Sequence, residues 1–226
     1  MSSVTQQIRT HLQQVADLRA TRAVDAELAA RVIAIKRYQH ARFSSDYAAL
    51  LASERYGEAT RFFLSDLYGP VEFGDRDAQF ERVLPAMTRL LPADVMHTVA
   101  HLAELHALSE SLDQEMALQL TDAAVDDRSY RAAWRGVGRI TDRHRQLGLL
   151  MAIGTSLDRH TRKSMLTAAL RMMRGPAAAA GMAHLQSFLE RGLAAFVSMR
   201  GAEEFLNVVA TNEERMISDL FRCAPK

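Results

Sequence analysis

Residues 95–120 read VMHTVAHLAELHALSESLDQEMALQL, and this stretch decides the fold class. It contains neither proline nor glycine. Val95, Val99, Leu102, Leu105, Leu112, Met116 and Leu120 recur at steps of three, four or seven residues. That period belongs to a helix, because a half-buried strand would alternate apolar and polar side chains. Pro92-Ala93-Asp94 supplies the start, with proline near the first turn and an acid beside the positive end of the helix dipole. The spacing therefore predicts one long amphipathic helix over 95–120.

His106, Ser109 and Asp113 fall on the same side as the apolar stripe, at i, i+3 and i+7. A hydrogen-bonded His–Asp pair can orient an imidazole for metal, haem or proton-transfer chemistry. Two turns separate the pair, so Ser109, a water or a neighbouring helix has to mediate. A satisfied polar layer that fixes helix register is the competing interpretation, since perturbed buried groups are often structural. On the flank lie Asp94, His97, His101 and Glu104. His97 and His101 at i, i+4, with Glu104 one turn on, have the spacing to chelate one metal ion. The chain has no HExxH, and its one Asp-x-x-His (Asp94 to His97) does not make a di-iron pattern of Glu-x-x-His pairs. A solvated polar face accounts for these residues at least as well.

Outward from this helix the same grammar continues. Ser3 and Gln6 resemble a capping box before Ile8, Leu12 and Val15. Asp25 is placed to start a helix through Leu28, Val32 and Ile35 that runs into KRYQHARF at 36–43. There Tyr38, His40 and Arg42, with Asp46 and Tyr47 beyond, form a candidate site for a carboxylate or phosphate. Arg42 supplies the planar fork. Ser44, Ser45 or Asp46 is expected to cap a short following helix. Residues 61–70, RFFLSDLYGP, end a helix from Glu54 at Gly69-Pro70. On a 100° wheel Asp66 falls among Phe62, Phe63 and Leu67, so its carboxylate needs an arginine or tyrosine partner from another helix. Asp66 and Tyr68 join the candidate ligand residues.

Asp75 is the expected cap of a helix over 76–91, kinked or divided at Pro85. Asp126 or Asp127 caps 128–139, where Arg128, Arg131, Arg135 and Arg139 line one face and Trp134 is a packing anchor. A helix from Thr141 or Asp142 to Arg174 has a candidate break at Gly154. Gly175-Pro176 then precedes a helix over 177–199, and Gly201 precedes the last, over 202–221. The count is eight or nine helices in one all-α domain, residues 1–226, packed as an irregular bundle.

Composition agrees. The 226 residues carry 28 Lys and Arg against 27 Asp and Glu, so global electrostatic recruitment to nucleic acid is not favoured. Aspartates 122, 126, 127 and 142 offset the arginine stripe. The lone cysteine, Cys223, excludes an internal disulfide framework and a multi-cysteine metal site within the chain. No apolar segment approaches the roughly 20 residues of a membrane span, and SSVTQQIRTHLQQ at 2–14 has no signal-peptide character. A reducing cytoplasm is the expected location.

The segment Phe62-Phe63-Leu64-Ser65-Asp66-Leu67-Tyr68 resembles the signature of bacterial FFLEELY motif proteins. The likeness extends through RYGEATRFFLSDLYGP (55–70), RDAQFERVLP (76–85), AELHALSESLD (103–113) and RMMRGPAAAAG (171–181). Ser65 stands where the signature has glutamate, so a role that needs paired carboxylates is not implied. The resemblance implies one helical domain and no reaction type.

Two functional classes follow. One is a non-enzymatic interaction or scaffold domain that docks a protein partner or associates with itself. The other is a helical pocket protein or enzyme holding haem, a metal or a small apolar ligand, with His106, Asp113, Asp66, His40 or His160 as candidate contacts. The first is the expectation and the second the alternative, because the sequence carries no complete catalytic constellation and no cofactor fingerprint.

Overall fold

Local signals account for several helix starts and stops in the computed structural model, which describes residues 3–67, 74–161 and 164–222. Asp25 accepts a hydrogen bond from the Leu28 amide at 2.9 Å and begins α2 (Ala26–Asp46), after α1 (Ser3–Ala23). Asp126 begins α7 (Asp127–Val137) with a reciprocal capping box to Ser129, and Gly138 ends it at φ 64°, a left-handed turn that suits glycine. Between these lie α3 (Ala48–Ala52), α4 (Gly57–Phe62), a π-helical turn (Phe63–Leu67), α5 (Gly74–Leu90) and α6 (Ala93–Leu118). After α7 come α8 (Ile140–Thr161), α9 (Ser164–Met172), α10 (Arg174–Ala179), α11 (Ala183–Ser198) and α12 (Glu203–Arg222). The fold is all-α, with no strand among the described residues.

Several boundaries differ from expectation, each for a physical reason. The described residues form twelve α-helices rather than eight or nine, and nine of these have seven or more residues. Ser44 does not cap a new helix; α2 continues through Asp46 and the Ser44 hydroxyl donates back to the His40 carbonyl at 2.8 Å. Helix α5 already includes Asp75, and Pro85 sits inside it without ending it. Gly154 does not interrupt α8. A Cβ there would lie 2.4 Å from Leu206 Cδ2, so the glycine lets α8 and α12 cross closely. Gly175-Pro176 lies in the first turn of α10, just after the break at Met173, and a further break comes at Gly181, φ 70°. The Gly69-Pro70 stop lies outside the described residues.

Helix α6 is the axle, packing against α1, α2, α7 and α8. It therefore buries residues on two opposite sides, among them Met96, Ala103 and Ala107 on one and Leu112 and Met116 on the other. Four apolar clusters surround it. One joins Phe43, Tyr47, Tyr56 and Phe63 to Phe205 and Val209. A second joins Ile35, Tyr130 and Trp134 to Ile217 and Leu220. Ile8, Leu84 and Met96 build the third, and Leu105, Leu149 and Ile153 the fourth.

Candidate functional site

The clusters do not close completely on one another. They leave a cavity of about 190 Å³, lined from α1, α2, α5, α6, α7, α8, α11, α12 and the π-helical turn. An apolar cavity of about 150 Å³ accommodates benzene, so this space has room for a small ligand. Its lining on α6 runs from Val99 to Asp113. At 1.5 Å per residue that is about 21 Å. A volume of that size drawn out along α6 describes a narrow passage, suited to a chain.

The two ends differ in chemistry. Toward Val99 the walls are apolar, with Phe80, Met87, Leu185, Phe188 and Leu189. Toward Asp113 they are polar and ionic. Lys36 of α2 reaches Glu110 Oε1 at 2.5 Å, and Arg22 Nη2 lies 2.7 Å from Oε2 of the same carboxylate. Burial alone would raise the Glu110 pKa, but the charges of Lys36 and Arg22 hold it down at about 2. Arg42 faces Glu213 of α12 through both terminal nitrogens, at 3.5 and 3.3 Å, and the Tyr47 hydroxyl donates to Glu213 at 2.6 Å. Burial first, then the Glu213 charge, pushes the Tyr47 pKa up. Arg143 of α8, buried, lays its guanidinium 3.6 Å from the centroid of the Trp134 ring.

The α6 layer of His106, Ser109 and Asp113 does line the cavity. It is not organised as a His–Ser–Asp relay: Ser109 accepts a hydrogen bond from Gln146 of α8 at 2.7 Å, and Asp113 accepts one from Gln39 of α2 at 2.8 Å. Asp113 is fully enclosed, and burial raises its pKa despite nearby Lys36. His106 acts instead on Glu110, one turn on, helping to lower its pKa.

Other candidates are dispersed. Arg42 lines the cavity, whereas the Tyr38 hydroxyl donates to Asp127 at 3.1 Å and its ring stacks on Tyr130, centroids 4.3 Å apart. Burial and Asp127 push the Tyr38 pKa up to about 12. His40 is half-buried outside the lining. The metal candidates do not assemble: His97 is exposed, and Glu104 takes Arg145 through paired hydrogen bonds of 2.7 and 2.8 Å. Among the described residues no group of three His, Cys, Asp or Glu side chains is placed to hold a metal ion. His160 is buried, 3.8 Å from Asp94 across the molecule from the ionic end. Asp66 pairs with Arg191 of α11. The π-helical turn advances fewer degrees per residue than an α-helix, so the carboxylate turns toward α11 instead of into the core. Tyr68 and Cys223 lie outside the described residues. In the arginine stripe, Arg131 pairs with Asp127, and Arg139 with Asp142 and Glu115.

Glu110, Lys36, Arg143 and Glu213 were not candidates from sequence. A 100° wheel assigns α6 one buried side, and Glu110 lies off it. The clue available was its i+4 relation to His106.

A family model described as Domain of unknown function (DUF8198) matches residues 18–226. The chain belongs to this family. No curated protein and no solved structure matches it. No helix among the described residues of this DUF8198 protein is long and apolar enough to cross a membrane.

Proposed function

We propose that this DUF8198 protein is a small-molecule carrier or sensor that encloses a narrow, chain-shaped ligand in the cavity beside α6. The observation that carries this reading is the cavity itself: some 190 Å³ in the centre of an otherwise close-packed bundle, apolar at one end and ionic at the other. A void of that size costs stability when empty, and a fold that keeps one gains by filling it. The competing reading, docking of a protein partner or a second copy, calls for a continuous exposed apolar patch. Apart from the neighbours Met172 and Met173, the prominently exposed apolar residues Val24, Leu118, Ile140, Val197 and Val208 come from separate segments, which favours the cavity.

Native mass spectrometry of freshly purified protein tests this. A bound species that leaves on denaturation is expected. Protein of sequence mass alone, combined with no uptake of a fluorescent acyl probe, would overturn the reading.

The shared cavity also supports treating residues 1–226 as one domain, since helices from α1 to α12 line it. From the likeness at 62–68 we infer membership of the bacterial FFLEELY motif proteins. A cytoplasmic location and an absence of nucleic-acid partners fit the near-neutral charge.

A further inference from the structure

Given a ligand in the cavity, the chemistry of the ionic end selects its head group. We propose that the cavity takes a single-chain amphiphile with an anionic oxygen head, a carboxylate or phosphate monoester. The head lies against Arg143, Trp134 and Arg42, and the chain runs along α6 toward Phe80 and Phe188. This rests on the ligand-cavity reading and specifies it.

Two independent observations point to an anion. The first is charge. Arg22, Lys36, Arg42 and Arg143 gather at this end against Glu110, Asp113 and Glu213. Glu110 is engaged by Arg22 and Lys36, and Glu213 by Arg42 and Tyr47. Asp113, enclosed and bonded to Gln39, resists ionisation. Arg42 also pairs with Asp46 at 3.0 Å, so four cations meet four carboxylates, and among these burial disfavours the ionised form of Asp113.

The second observation is a surplus of hydrogen-bond donors. The buried Trp134 Nε1 and Arg42 Nε atoms lack an acceptor, and the Tyr130 hydroxyl faces Gln39 without an aligned bond. All three residues line the cavity. Indole and guanidinium N–H groups only donate, and leaving them unmatched indoors is costly. A carboxylate or phosphate brings several acceptor oxygens to one point. An ammonium head would bring more donors and a like charge.

Calorimetric titration of the delipidated full chain with decanoate, decyl phosphate, decan-1-ol and decyltrimethylammonium tests the assignment. One anion is expected to bind one-to-one at least roughly tenfold tighter than the alcohol or the ammonium. The two anionic arms distinguish carboxylate from phosphate. Trp134→Phe should weaken the preferred anion roughly tenfold while leaving the alcohol within about twofold. Arg42→Gln should likewise weaken the anion and spare the alcohol, and it carries the test if the tryptophan variant does not fold. Equal binding of alcohol or ammonium overturns the head-group assignment alone. Failure of all four probes to bind removes the ligand-cavity reading with it.

Discussion

Arg22 Nη2 lies 2.7 Å from Glu110 Oε2, and both side chains are almost closed to solvent, at 3% and 7% exposure. With Lys36 on the other oxygen, one carboxylate is shared by two cations from α1 and α2 inside the bundle. Glu110→Gln leaves both cations buried with a neutral partner, so a loss of about 3–5 kcal/mol is expected near neutral pH by urea titration.

The same carboxylate sets an acid limit. Its pKa falls from 4.5 to about 2 on folding. A lowered folded-state pKa contributes stability above the unfolded value, and that contribution disappears as pH falls through the window from 4.5 to about 2. Urea midpoints measured across this window should drop for the wild type and drop less for Glu110→Gln.

Asp113 has the opposite sign. Burial raises its pKa, so its ionisation opposes folding as pH rises above the ordinary aspartate value of 3.8. Asp113→Asn keeps a carbonyl to accept from Gln39 and removes that penalty. Its melting temperature should exceed that of the wild type at neutral pH, and the gap should close as the solution is made strongly acid.

Two glycines should respond oppositely to alanine. A Cβ on Gly57 would lie 2.7 Å from the Leu51 carbonyl oxygen, a backbone atom that cannot swing away. Gly57→Ala should cost about 1–3 kcal/mol. Gly148, exposed within α8, has nothing within 4 Å of its would-be Cβ, and Gly148→Ala should stabilise by about 0.5–1 kcal/mol. Paired denaturation curves check both signs.

Asp66 tethers the π-helical turn to α11 through Arg191, which is 53% exposed. Water screens such a pair, so Asp66→Asn should cost less than about 1 kcal/mol and leave ligand occupancy unchanged. A large loss of bound ligand would place Asp66 in the cavity's function after all.

What sequence could convey here was local. Period and capping identified α2, α6 and α7 because Asp25, Asp126 and the α6 stripe act within a few residues of the helices they define. Glu110 was illegible because the buried arc of α6 is wider than its apolar stripe, so the stripe alone does not mark the border between inside and outside. Its partner Lys36 is 74 residues away, as Gln39 is from Asp113. Asp66 was legible as a group in need of an arginine, yet the wheel that placed it assumed an α-helix where the chain makes a π-helical turn. The cavity has no sequence signature, being what Phe43, Phe63, Leu105 and Phe188 fail to fill.

Arg42 and Glu213 are 171 residues apart, and Tyr47 and Glu213 are 166. At about 5–20 residues per second of synthesis, the ribosome makes the intervening chain in roughly ten to thirty seconds. Throughout that interval Phe43 and Phe63 have no α12 to cover them. The cavity beside α6, whose wall includes Glu213 and Ile217, is thus complete only when α12 docks.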